Sequence, residues 1–189
     1  DEAGEVDIVV GIPSFNNART ITHVVRAVAG GLAKYFPERK SIIVNSDGKR
    51  FLDEGADFRN YTYAKYGKEI LKQPGSVAYQ IFDSTLRPML RSEEYDMPGI
   101  SVEVADTIED LAAKIGLNPE SLSKTVTDFN NSIDRSCPFD PTIKDGRKAT
   151  TEPVKSNWAA PIEAGPFYAY GVTCGITFTF GGIKSDTHG

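Results

Sequence analysis

Residues 45–67, NSDGKRFLDEGADFRNYTYAKYG, set Asp47, Lys49, Arg50, Asp53, Glu54, Asp57 and Arg59 among Phe51, Phe58, Tyr61, Tyr63 and Tyr66. Solvated loops seldom carry so many aromatic rings, and core strands seldom carry so many charges. The mixture suits a half-buried surface that positions ionic groups, as an anion-binding or proton-handling cleft does. Arg50 lies within reach of Asp53 and Glu54, so its planar fork can pair with either or hold a carboxylate ligand. The same residues also suit a charged edge strand and turn. Asp47-Gly48 is a good turn pair, and charged side chains along an edge discourage pairing with another chain.

Several elements must position this stretch. Before it, Asp7 to Ile12 is a short β-branched run closed by Pro13-Ser14, which predicts a buried strand and a turn. Ile21, Val24, Val25, Val28, Leu32 and Phe36 recur at helical spacing, with Asn17 as N-cap. Ser41 to Val44 is a second apolar strand, so residues 7–48 form a βαβ-like unit. After it, the pattern predicts a helix from Tyr63 to Gln73 ended by Pro74-Gly75, and a strand over Val77 to Asp83. A short helix broken by Pro88 is expected over Thr85 to Tyr95, and a short strand over Val102 to Ala105.

Two helices are the most sharply marked elements. Thr107 caps Ile108 to Ile115, with Asp110 as capping-box partner and Gly116 as the stop. Asn118 caps the next, with Pro119 at its first position and an apolar stripe of Leu122, Val126, Phe129 and Ile133. Residues 137–156, rich in Pro, Asp, Lys and Thr, read as a long loop. Pro166-Phe167-Tyr168-Ala169 leads on to the glycine-bounded run from Gly175 to Ile183, which reads as a strand.

Composition narrows the class of protein. With 189 residues, 40% hydrophobic and 25% charged, the chain is an ordinary globular protein long enough to bury a sizeable core. A net charge of −5 argues against nucleic acid or an anionic membrane as the main partner. Cys137 and Cys174 are the only cysteines, which provides neither a disulfide framework nor a zinc site, and no metal centre is expected. No apolar run approaches the ~18 residues of a membrane-spanning helix. The opening Asp1-Glu2-Ala3-Gly4-Glu5 is unlike a signal peptide, so the cytoplasm is the expected location.

Two resemblances add to these readings. Lys49 to Glu54, followed by Asp57-Phe58-Arg59-Asn60-Tyr61-Thr62-Tyr63, resembles the start of the substrate-capping domain of FAD-dependent dehydrogenases. The broad family is that of the fumarate reductase and succinate dehydrogenase flavoproteins, with tricarballylate-dehydrogenase-like proteins as the nearest branch. TIEDLAAKIGLNPESLSKTVTDFNNSI, residues 107–133, resembles the helix pair of that same domain. The resemblance implies an α+β fold, a flavoprotein cap-like domain over residues 45–172, and a strand over 173–189 returning toward a flavin domain. It implies FAD as cofactor and a small carboxylate as substrate, oxidised or reduced by hydride transfer to or from the flavin. Arg59 matches the arginine that exchanges a proton with the substrate carbon. Arg50, Thr177 and Thr179 would contact the substrate, and Gly181 and Gly182 would let backbone approach the flavin. Fumarate reductases often carry a histidine near this place; Thr177-Phe178-Thr179-Phe180 stands here instead, which favours the tricarballylate-like branch or another acid. No G-x-G-x-x-G loop is present, so the flavin would come from a separate segment.

The other resemblance covers about residues 7–48 and makes residues 1–44 a βαβ-like segment of nucleotide-binding type. IVVGIPSFNNARTI and IIVNSDG resemble the opening of a family-two-type nucleotide-sugar glycosyltransferase, with Asp47 as the aspartate that holds the nucleotide. The resemblance stops after Gly48, and no Asp-x-Asp metal motif follows. A glycosyltransferase-type protein and a non-catalytic chimeric fragment are therefore the alternatives to a flavoprotein cap.

Overall fold

A computed structural model of the chain describes residues 41–175, except Arg91. The first strand and helix of the βαβ-like unit fall outside the described residues, as does nearly all of the run from Gly175 to Ile183.

The described residues form an α+β unit around a four-stranded sheet. The strands are β1 (Ile42–Asn45), β2 (Ala78–Phe82), β3 (Val102–Ala105) and β4 (Phe167–Val172), in the order β1-β2-β4-β3. Every pairing is antiparallel. Ile42 faces Ile81, Gln80 faces both Ile43 and Tyr170, and Val104 faces Tyr168. β1 lies across the expected domain boundary at residues 44 and 45 and belongs to the same sheet as the rest.

Alternation along the strands sorts their side chains onto two faces. Ile42, Val44, Ile81, Phe167 and Ala169 belong to the main core. That core is covered by α3 (Ile108–Lys114) and α4 (Pro119–Asn131), whose Leu111, Ala112, Leu122, Val126 and Phe129 are buried. Each large apolar side chain so buried contributes about 1.5–3 kcal/mol relative to exposure. Ile43 and Ala78 belong to a smaller cluster with Leu52, and Ile70 of α1 (Arg59–Leu71) closes it.

The marked helix ends are as expected. Thr107 accepts the Asp110 N–H at 3.1 Å, and Asn118 accepts the Ser121 N–H at 3.0 Å. Gly116, with φ of 74°, takes the left-handed turn that stops α3. The region around Pro88 is broken more finely than the single short helix expected. It consists of a 3-10 turn at Arg87–Met89 and one helical turn, α2 (Ser92–Tyr95).

Two differences are larger. α1 begins at Arg59, four residues before the expected Tyr63, because its cap residue Phe58 is extended and offers no hydrogen-bonding side chain to mark the start. β4 occupies Phe167–Val172, where the sequence pattern suggested only an approach to a later strand. It sits between β2 and β3, and its burial does not alternate cleanly.

Candidate functional site

The charged stretch divides into two environments. After β1, a tight turn over Asn45–Lys49 is closed by the Asn45 carboxamide, which accepts the Asp47 and Lys49 N–H groups at 3.0 and 3.1 Å. Gly48 has φ of 71°, and a Cβ there would lie 3.1 Å from the Leu122 nitrogen. The turn therefore packs on α4, where Ser121 and Thr125 donate to the carbonyls of Asp47 and Gly48 at 2.5 and 2.7 Å. The Asp47 side chain is exposed on this turn.

Arg50 and Glu54 follow as a buried pair, with side chains 3% and 4% exposed. Arg50 Nε donates to one Glu54 oxygen at 3.0 Å and Nη2 to the other at 2.5 Å. Nη1 donates to Thr151 Oγ1 at 3.2 Å and to the Pro153 carbonyl at 2.7 Å. Glu54 also accepts the Ile43 N–H at 2.9 Å, which ties the pair to β1. Lys155 is fully buried beside it and donates to the Ser41 carbonyl at 2.7 Å. Both cations lie over the Phe129 ring, at 5.1 Å for Arg50 and 5.8 Å for Lys155. Burial pulls the Lys155 ammonium down to about 8, with Glu54 opposing and Arg50 reinforcing that shift.

Arg59 opens onto a cleft instead. Its side chain is 41% exposed, and its fork meets the Glu94 carboxylate of α2, with Nη1–Oε2 at 3.0 Å and Nη2–Oε1 at 3.3 Å. The cleft has a volume of about 290 Å³, and Asp57, Tyr63, Tyr66, Gln80 and Tyr95 are among the residues lining it with Arg59. Tyr95 donates to Gln80 at 3.0 Å, and Gln80 donates to Ser41 at 3.1 Å, so a polar chain crosses the cleft floor. Tyr66 donates to the Asp53 carbonyl at 2.8 Å, and burial pushes its hydroxyl up to about 12. It is a fixed donor there at neutral pH and does not ionise.

The two arginines of the sequence reading are thus held apart. Arg59 lines the cleft, and Arg50 is committed to Glu54, Thr151 and Pro153. Thr177, Thr179, Gly181 and Gly182 lie outside the described residues. Glu94, Tyr95 and Gln80 were not singled out from the sequence. Glu94 is 35 residues from Arg59, and no local spacing signals such a pair.

A protein-family model described as "FAD binding domain" matches residues 10–189. Fumarate reductase (cytochrome) of Shewanella frigidimarina is 30% identical over 168 residues, covering 87% of this chain and 26% of that protein. NADH:acrylate oxidoreductase of Vibrio harveyi is 29% identical over 157 residues, covering 80% of this chain and 14% of that protein. Among solved structures, the open conformation of a flavocytochrome c3 fumarate reductase superposes with a TM-score of 0.56 at 29% identity, over 74% of this chain and 22% of that one. The chain therefore spans about a quarter or less of the length of these relatives. The family match takes in residues 10–40, and these relatives lend no support to the glycosyltransferase resemblance there.

FAD is the cofactor of this family. A dinucleotide pyrophosphate is usually cradled where a parallel strand passes through a glycine-rich loop into a helix. The described sheet is wholly antiparallel, and the turn after β1 is filled by α4. The described residues do not fit the pyrophosphate of the cofactor. Among them no helix is long and apolar enough to cross a membrane.

Proposed function

The chain belongs to the FAD binding domain family, and on that premise we propose that it is the substrate-capping portion of an FAD-dependent oxidoreductase acting on a small carboxylate. Fumarate reductase or tricarballylate dehydrogenase is the model for the activity, and residues 45–172 form the cap. The observation that carries this is the placement of Arg59 at the rim of an aromatic-lined cleft with both ends of its fork on Glu94.

That placement suits proton transfer to or from the substrate carbon. A guanidinium stays protonated at any ordinary pH and gives up its proton reluctantly, so the role demands that substrate and flavin bury the site and that a relay resupply the proton. Glu94, bonded to both terminal nitrogens, is the group through which a proton lost from Arg59 is replaced. Tyr63, Tyr66 and Tyr95 line the cleft with it, and a bound substrate that displaces water there would strengthen its pull on a carboxylate and on charge developing at the reacting carbon. Thr177 and Thr179 would bind the substrate, and Gly181 and Gly182 would admit the flavin. The flavin would be held by a separate segment. Arg50 anchors the turn from beneath; a substrate contact from it would require the Glu54 pair to open.

The test is turnover of a carboxylate by this chain joined to an intact flavin domain. Arg59→Lys keeps the charge and loses the planar fork. It should cost roughly 100-fold or more, on the scale of a lost general acid, while flavin content is unchanged. If Arg59→Lys is harmless and Arg50→Lys abolishes turnover, the proton-transfer role belongs to Arg50.

A further inference from the structure

The turn that delivers Arg59 is clamped by three consecutive residues, 156–158, about one hundred positions away in sequence. Just before them, Lys155 ties to Ser41, as described above. Ser156 then donates its N–H to one Asp53 carboxylate oxygen at 2.9 Å and its hydroxyl to the other at 2.5 Å. The Asn157 carboxamide donates to the Gly55 carbonyl at 2.8 Å. A Cβ on Gly55 would lie 2.2 Å from the Asn157 carbonyl oxygen, so only glycine permits the two backbones to come this close.

Trp158 completes the clamp. Its ring packs against Phe58 with centroids 5.5 Å apart and planes tilted by 52°. Trp158 is fully buried and has φ of 56°, a left-handed conformation that is an outlier for a bulky residue. Its surroundings fix it there. The backbone N–H donates to the Asp145 carboxylate at 2.8 Å, and Nε1 donates to the carbonyls of Asp140 and Ile143 at 3.0 and 2.7 Å. Strained backbone of this kind persists where neighbours over-determine it, and it concentrates at functional sites.

Phe58 is the link to the cleft. It is the cap residue of α1, it is extended, and its side chain makes no capping hydrogen bond. Arg59 is the first residue of that helix. The packing of Phe58 on Trp158 therefore fixes where α1 begins, and so where the Arg59 side chain leaves the backbone.

We propose that Trp158 is a positioning residue for Arg59, acting through the Phe58 ring; the functional weight of this rests on the role given to Arg59 above. The test is a nitrogen–proton correlation spectrum of the arginine Nε–H groups in this chain. Phe58→Leu removes the ring contact and leaves every Trp158 hydrogen bond in place. Trp158→Phe keeps a ring and loses the two Nε1 bonds. In both variants the Arg59 signal should move by more than its linewidth, while the signal of Arg135, paired with Glu163 at the exposed surface, stays fixed. Phe58→Tyr should restore the wild-type position.

An Arg59 signal unchanged in folded Phe58→Leu would overturn the proposal, and this variant decides alone if Trp158→Phe does not fold. Movement of Arg59 and Arg135 together would also overturn it, because it would show general loosening. The readout is independent of turnover. A moved Arg59 signal with a harmless Arg59→Lys would leave the positioning intact and remove the proton-transfer role.

Discussion

Arg50 and Arg59 lie nine residues apart and each forms a two-pronged pair with a glutamate, yet the pairs have opposite characters. The Arg50–Glu54 side chains are 3% and 4% exposed, and those of Arg59–Glu94 are 41% and 32% exposed. The buried arginine commits four of its five N–H donors to fixed protein acceptors. The exposed one is held weakly, because solvent already screens it. Burial, more than residue type or spacing, separates a structural cation from one available for chemistry.

The largest expected effect comes from breaking the buried pair. Arg50→Ala leaves Glu54 desolvated without its partner, which costs about 3–5 kcal/mol. Urea unfolding followed by circular dichroism should show it as a lower midpoint. Arg50→Met combined with Glu54→Leu should recover most of that loss, since an apolar replacement of both partners leaves no orphaned charge. Failure to recover would mean that the pair's bonds to Thr151, Pro153 and Ile43 matter more than its charges.

A smaller effect concerns pH. The Lys155 ammonium titrates near 8 in the fold, below its usual range. The unfolded chain then binds more protons between about pH 8 and 10.4, so this group's contribution to stability rises with pH across that window, by at most roughly 1.4 kcal/mol per pH unit. It is lost as pH falls through 8. The stability of Lys155→Met, measured at several pH values, should lack that rise relative to the parent chain. Tyr66 works the other way: its contribution is present below pH 10 and is lost as pH climbs toward 12. A parallel pH profile in parent and variant would show that Lys155 is not the source.

The smallest effect is at the exposed pair. Arg59→Ala should change unfolding free energy by only about 0–1 kcal/mol, as for other surface ion pairs, even with the proton-transfer role proposed for this position. A loss as large as that of Arg50→Ala would erase the distinction between the two arginines.

The legible parts of the sequence were those whose cause is local. Thr107, Asp110, Gly116, Asn118 and Pro119 announce α3 and α4 because capping bonds span three or four residues. β1, β2 and β3 were read from short apolar or alternating runs. The start of α1 was not legible, because Phe58 has no capping side chain and its ring is packed by Trp158, a hundred residues away. β4 was missed because a central strand, packed on both faces, loses the alternation that marks an edge. Within the site, Arg59 was visible as one charge among aromatics, but Glu94, Gln80 and Tyr95 reach the cleft only through the fold.

The clamp between residues 53–58 and 156–158 also has a kinetic side. Its bonds join positions 102 and 103 apart in sequence. Closing so long a loop is entropically costly until the intervening sheet and helices have drawn the ends together. These contacts are expected to form after the transition state, so their loss should speed unfolding while leaving the folding rate nearly unchanged. On that order the arginine turn would be set only after the rest of the unit has folded, and a misfolded chain would not display a finished cleft.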